Sequence, residues 1–379
     1  SPERGNGAPS SPDSGEDIAK HGVLSRIRRK DFLMPKTKAK RDLRQRLLQG
    51  TVLCAEGYIF ELERRGYVKA GAYVPEVILD YPEAVTLLHQ EFLRAGSEVM
   101  VALTYYAHRE KLRVIGRENE LEEMNRQAVC MAQKVAKEGD ALVAGNICNT
   151  WVYDPSNKRK SSALVRSMYE EQLRWAVDEG IDFVIAETIE YVGEALIALE
   201  VIKSFGLPAV VNFNPIYEKS KDDYDWVEAC KILEEAGADV VGLNCARGPR
   251  TMLPLLKKMR KQISGYTAAL PVPYRTTNDL PSFEFLKLED GQSAYTLGLD
   301  NFLCSRLEMA NFAAEAQKIG INFIGICCGA APHHVRSMAE ALGRTVPASR
   351  YSPDMSQHGL LGSKKVVGEH EQKFLKKWK

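Results

Sequence analysis

The chain has 379 residues, 45% of them hydrophobic, and its 51 Lys and Arg against 50 Asp and Glu leave a formal charge of +1. That balance argues against a polyanionic partner such as nucleic acid, and no apolar run approaches the length of a membrane span. Eight cysteines at irregular spacing do not read as a disulfide framework, which points to a reducing, cytoplasmic setting.

Residues 1–20 are poor in large apolar side chains and are expected to be disordered. The basic runs Arg26-Ile-Arg-Arg-Lys30 and Lys36-Thr-Lys-Ala-Lys40 follow. Residues 1–44 therefore read as a solvated basic extension, with Glu16 and Asp17 weakening a transit-peptide reading. From residue 51 the pattern becomes regular: an amphipathic helix, a glycine just past its end, then a short apolar strand, repeated. Gly96, Gly139, Gly180, Gly206, Gly237 and Gly320 are the expected left-handed helix ends. Strands are expected at residues 51–54, 99–103, 141–144, 183–186, 209–213, 240–243 and 323–326, with a weaker candidate at 270–274. They are nearly continuous apolar runs, as a parallel sheet covered on both faces requires. Helical spacing recurs between them, as in Val85, Leu88 and Phe92, or Leu253, Leu256 and Met259. Eight such units favour an α/β (β/α)8 TIM-type barrel over residues 45–346, with a short C-terminal segment at 347–379. No G-x-G-x-x-G follows a strand, which lowers a dinucleotide-binding alternative.

In such barrels the chemistry sits at the C-terminal strand ends. There the sequence places Glu56, Thr104 to Tyr106, Asn146, Asn149, Glu187, Asn212 and Asn214. It also places Cys245, in Val241-Gly-Leu-Asn-Cys245, and the vicinal pair in Gly325-Ile-Cys327-Cys328-Gly329. Three soft sulfurs on two strand ends are what a zinc site with one open position requires. Neighbouring side chains on a regular strand point to opposite faces, so both vicinal cysteines can serve one Zn2+ only if the strand ends there, as Gly329 suggests. Cys54, Cys130, Cys148, Cys230 and Cys304 read as ordinary buried cysteines.

The stretches Phe60-Glu-Leu-Glu-Arg-Arg-Gly-Tyr-Val-Lys-Ala-Gly71, Tyr81-Pro-Glu-Ala-Val85, His89 to Gly96, Gly242-Leu-Asn-Cys245 and Cys327-Cys-Gly-Ala-Ala-Pro-His-His-Val-Arg336 resemble the homocysteine S-methyltransferase family, closest to its betaine-homocysteine branch. The resemblance covers about residues 45 to 345. It implies that Cys245, Cys327 and Cys328 bind zinc and activate the homocysteine thiol, and that Glu187 holds the homocysteine ammonium. It also implies that Tyr73, Tyr105 and Tyr106 face a methylated cationic donor, which aromatic faces recognise. The two substrates are then the partners, and betaine is the expected donor, with dimethylsulfoniopropionate or S-methylmethionine as alternatives. The C-terminal segment is shorter than in the animal betaine enzymes, whose extension helps subunits associate, so the resemblance leaves a homo-oligomer open.

Two departures stand out. Where the betaine branch has Asp-Gly-Gly, this chain has Ala55-Glu56-Gly57, so Glu56 offers a carboxylate from a neighbouring position and Gly57 keeps close backbone approach available. Leu103 and Thr188 stand where the branch has aromatics, so a thinner aromatic cage is expected. Glu190 is expected one helical turn from Glu187, pointing elsewhere. His333 and His334 read as local hydrogen-bonding or surface residues at a helix start. The altered loop also keeps a second class of function open, a barrel that binds zinc or a thiol amino acid without catalysis.

Overall fold

The computed structural model describes residues 42–358 and 361–363, with a few isolated positions beyond them. Of the extension expected over residues 1–44, residues 1–41 lie outside the described residues, while Asp42, Leu43 and Arg44 begin a helix whose Leu43 is fully buried. Asp42 caps the helix Leu43–Gln49 by accepting from Gln45 N at 2.8 Å.

Eight parallel strands close into a barrel in sequence order: β1 Val52–Ala55, β2 Val99–Val101, β3 Leu142–Cys148, β4 Phe183–Ile189, β5 Ala209–Phe213, β6 Val240–Asn244, β7 Tyr266–Leu270 and β8 Phe323–Ile326. β8 returns to β1 in the register Val52 to Phe323 through Ala55 to Ile326. Except for Tyr266 at the start of β7, every strand residue is buried, because helices cover the outer face and side chains fill the inside.

The helix Pro82–Ala95 illustrates how local sequence fixes these elements. Proline opens it where an amide donor is not needed, and Val85, Leu88 and Phe92 are fully buried on one face. Gly96 at φ 110° ends it. The same left-handed end recurs at Gly180, Gly206, Gly237 and Gly320. Gly139 differs: it is the last helical residue of Leu121–Gly139, and Asp140 takes the left-handed turn at φ 54°. A Cβ at Gly139 would lie 2.8 Å from a Leu93 methyl, so this glycine serves helix packing.

The seventh strand also lies elsewhere than expected. It ends at Leu270, where the sequence candidate began. Pro271 and Pro273 fill the candidate stretch, and a proline cannot donate to the ladders that an interior strand needs. β3 and β4 run further than their apolar cores suggest, to Cys148 and Ile189, which brings Asn146 and Glu187 onto the strands themselves.

Three buried histidines make the fold acid-sensitive. Burial pushes His89 down to about 3, and His108 and His334 to about 4. The unfolded chain takes up these protons first as pH falls below about 6.5, so stability is lost between pH 6.5 and 4. A shift from 6.5 to about 4 corresponds to on the order of 3 kcal/mol per histidine. Urea midpoints are expected to fall steeply over that window, and a flat profile would mean the imidazoles charge freely inside the fold.

Candidate metal and substrate site

The three cysteines meet at the barrel mouth. Cys245 follows β6 directly and donates its amide to Leu270 O at 2.9 Å; Cys327 follows β8 and donates to Pro271 O at 2.9 Å. The end of β7 and the proline that follows it thus pin both cysteine loops. β8 stops at Ile326 and Gly329 turns the chain at φ 90°, so the vicinal cysteines leave the strand alternation behind.

The sulfurs of Cys245 and Cys328 are 3.6 Å apart and those of Cys327 and Cys328 4.0 Å. All three lie within 4.8 Å of one another. Tetrahedral thiolates bonded at about 2.3 Å to one ion sit about 3.8 Å apart, so the cluster has the size of three corners of such a site. Hydrogen bonding among the thiols lowers Cys245 and raises Cys327.

Gly57 packs the end of β1 against this loop. A Cβ there would lie 2.5 Å from Ala330 Cβ, 2.6 Å from Cys327 O and 2.7 Å from Ala330 N, a methyl fixed to the backbone and two backbone atoms with little room to give. Its role is packing beneath the cysteines, at an ordinary φ of −79°. Gly57→Ala is expected to lower both the thermal midpoint and the bound metal per chain; unchanged metal content would show that the loop yields without cost.

Beside the sulfurs lies a buried carboxyl pair. Glu187 accepts from Asn146 Nδ2 and, at 3.0 Å, from Asn244 Nδ2. Asn244 also accepts from Thr188 N at 2.9 Å and lies 3.7 Å from Cys327 Sγ, so it ties β4 to the cysteine cluster. Oxygens of Glu56 and Glu187 and the Cys327 sulfur all come within 4.8 Å of one another. Burial pushes Glu187 up to about 7, against the pull of the asparagine donors. Burial, then the Glu187 charge, pushes Glu56 well above the carboxylate range. Two adjoining buried carboxyls resist ionising together, and a ligand ammonium between them relieves both.

These groups open onto a cavity of about 280 Å3, near the lower end of small-molecule sites and so suited to metabolite-sized ligands. Tyr73, Tyr105 and Tyr106 line it, as expected. The cage is not thin: Phe60, Trp151, Tyr217, Phe283 and Tyr295 line it too. Phe60 stacks on Tyr73 at 5.2 Å and Phe283 meets Tyr295 edge-on at 5.5 Å. Tyr73, Tyr106, Trp151, Thr188 and Cys245 all face this cavity with positive φ between 52° and 67°. Such strain is kept where the surrounding structure holds a functional geometry.

Glu190 also faces the cavity: no helical turn separates it from Glu187, and β4 shifts register between Ala186 and Ile189, where Thr188 has φ 54°, so the strict strand alternation is broken. It pairs with Lys221, another lining residue. Trp151, Phe283, Tyr295, Lys221 and Glu284 sit on connections whose local sequence carries no periodicity, so their convergence was not readable. Asn244 stood in the cysteine motif, and its polarity at the end of a buried strand was the available signal. His334 is buried and its Nε2 lies 3.0 Å from Cys304 O. Neither it nor His333 joins the sulfur cluster. Cys54, Cys148, Cys230 and Cys304 are buried as expected; Cys130 is exposed on its helix near Glu179.

A parallel barrel whose mouth gathers three thiols, paired carboxyls and aromatic walls has the groups that a small-molecule site beside a thiol-bound metal would use. Residues 53–342 match the homocysteine S-methyltransferase family, and the chain belongs to that family of enzymes. It is 37% identical to the S-methylmethionine-homocysteine S-methyltransferase of Pongo abelii over 86% of this chain and 87% of that one. It is 36% identical to betaine-homocysteine S-methyltransferase 1 of Mus musculus, covering 86% and 80%. The fold is similar to the homocysteine methyltransferase MmuM of Escherichia coli in its metallated form, with a TM-score of 0.61 at 18% identity over 77% and 96% of the two chains.

Proposed function

We propose that the protein transfers a methyl group from an onium donor to the homocysteine thiol, giving methionine, at a zinc ion held by Cys245, Cys327 and Cys328 in a reducing, cytoplasmic setting. The observation that carries this reading is the triangle of sulfurs, 3.6 and 4.0 Å on two edges, beside Glu187 and an aromatic-walled cavity. Bound there, zinc would favour the thiolate form of a thiol at its remaining position.

The chain's own residues then orient the reactants. Glu187, held by Asn146 and Asn244, accepts the homocysteine ammonium, with Glu56 as its neighbour. Tyr73, Tyr105 and Tyr106 present ring faces to the onium group, whose methyl carbon bonds to the homocysteine sulfur while its old bond's electron pair returns to the donor heteroatom. Alignment of the two ligands supplies most of what the protein adds. Betaine, the donor expected from the sequence, and the sulfonium donors meet this aromatic requirement alike.

The test is zinc-loaded protein with homocysteine and each donor, scored for methionine. Thiol loss and methionine that depend on a donor support the reading. Zinc and homocysteine binding with no methionine from any donor would favour the non-catalytic barrel. Replacing Tyr106 by Leu is expected to raise donor KM about five- to thirtyfold, with a smaller effect on homocysteine, and Tyr106→Phe should retain most of the affinity. Equal effects of Leu on both substrates would remove Tyr106 from the donor wall.

A further inference from the structure

One part of the cavity has no task in the reaction above. Glu284 lines it beside Phe283 and Tyr295, and Lys221 lines it beside Glu190. Both are held in place. Phe283 N donates to Ala246 O at 2.9 Å, which fixes the Glu284 segment next to the Cys245 loop. Lys221 N donates to Glu190 O at 2.8 Å, while Asp222 accepts from Val192 N and Gly193 N at 3.0 Å each, locking the lysine's loop to the end of β4.

The charges do not balance. Four carboxyl groups, Glu56, Glu187, Glu190 and Glu284, line the cavity with Lys221 as the lysine among them. Glu190 is paired with that lysine, and the homocysteine ammonium belongs to Glu187 and Glu56 on the reading above. Glu284 is left without a full counter-ion. Burial, together with the Cys245 and Glu190 charges, pushes it up to about 7. Ser282 Oγ at 3.5 Å and a lysine shared with Glu190 offset this only in part, and a buried carboxylate so placed is costly unless a ligand cation meets it.

We propose, building on the function proposed above, that Glu284 and Lys221 clamp an α-amino-acid group on the methyl donor, Glu284 taking its ammonium and Lys221 its carboxylate. The preferred donor is then a sulfonium amino acid with the chemistry of S-methylmethionine. Betaine and dimethylsulfoniopropionate carry a carboxylate and the onium centre but no second, N–H-bearing ammonium, so they leave Glu284 unpaired. A site built around a polar partner discriminates strongly against an analogue that lacks it. The onium centre still faces the aromatic walls, and the clamp sets which onium compound is accepted.

Steady-state kinetics of the zinc-loaded protein with the three donors tests this. The wild type is expected to favour S-methylmethionine over dimethylsulfoniopropionate and betaine by at least about tenfold in kcat/KM. Glu284→Gln should lower the ratio of kcat/KM for S-methylmethionine over dimethylsulfoniopropionate at least about tenfold, with homocysteine KM and zinc content as controls of the fold. Lys221→Met should weaken all three carboxylate-bearing donors while homocysteine KM stays near the wild-type value. Wild-type protein that uses betaine or dimethylsulfoniopropionate as well as S-methylmethionine overturns the clamp and leaves the methyltransferase reading standing; so does a Glu284→Gln ratio that does not move. Methionine from none of the donors overturns both. If Glu284→Gln does not fold, the wild-type ranking and Lys221→Met decide.

Discussion

Cys328→Ala protein is expected to bind far less zinc per chain and to form methionine more than 100-fold more slowly than the wild type. Loss of an outer-shell partner of a metal typically costs 10- to 100-fold, so a larger effect separates a ligand from a neighbour that merely supports one. Two remaining thiols cannot hold the ion in the same geometry, and metal binding at such a site contributes directly to folding. Cys327→Ala should behave alike, because its sulfur lies 4.0 Å from that of Cys328 and belongs to the same triangle. Elemental analysis of the purified variants is the direct measurement. Zinc content equal to the wild type in either one would remove that cysteine from the site.

Glu187→Gln is expected to lower kcat/KM for homocysteine about ten- to 150-fold, the range for losing a hydrogen bond to a charged group. Glutamine keeps the shape and one acceptor for the asparagines, but it cannot pair with an ammonium. Glu56→Gln should be milder, because burial and the Glu187 charge already favour the protonated, neutral form of Glu56. Retention of homocysteine kinetics within about twofold in Glu187→Gln, together with a large loss in Glu56→Gln, would transfer the ammonium-binding role to Glu56. The comparison matters because the turn Ala55-Glu56-Gly57 is where this chain departs from the branch it otherwise resembles.

The barrel was legible because its signals are local. An apolar strand of four or five residues, a helix with a buried stripe such as Val85, Leu88 and Phe92, and a glycine free to turn left-handed all act within one βα unit. Their repetition identified seven strands near their observed places. The cysteines were legible for a related reason: a buried strand end with Gly-Leu-Asn-Cys245, or with Cys327-Cys328-Gly329, offers reactive side chains where a parallel barrel presents them. β7 was not legible because two rules competed there: the apolar run after Leu270 contains two prolines that exclude it from an interior ladder.

The sequence by itself determined the kind of fold and the placement of the three cysteines and Glu187 at the barrel mouth, because each depends on side-chain type at a position fixed by short-range periodicity. Tertiary structure alone decided the rest of the mouth. Trp151, Phe283 and Tyr295 come from connections far apart in the chain and turn an apparently thin cage into a full aromatic wall. Asn244 joins Glu187 to the cysteine loops across 57 residues, and Lys221 pairs with Glu190 across the end of β4. Such contacts depend on barrel closure and loop paths, and no periodicity in one segment encodes which distant segment it will meet.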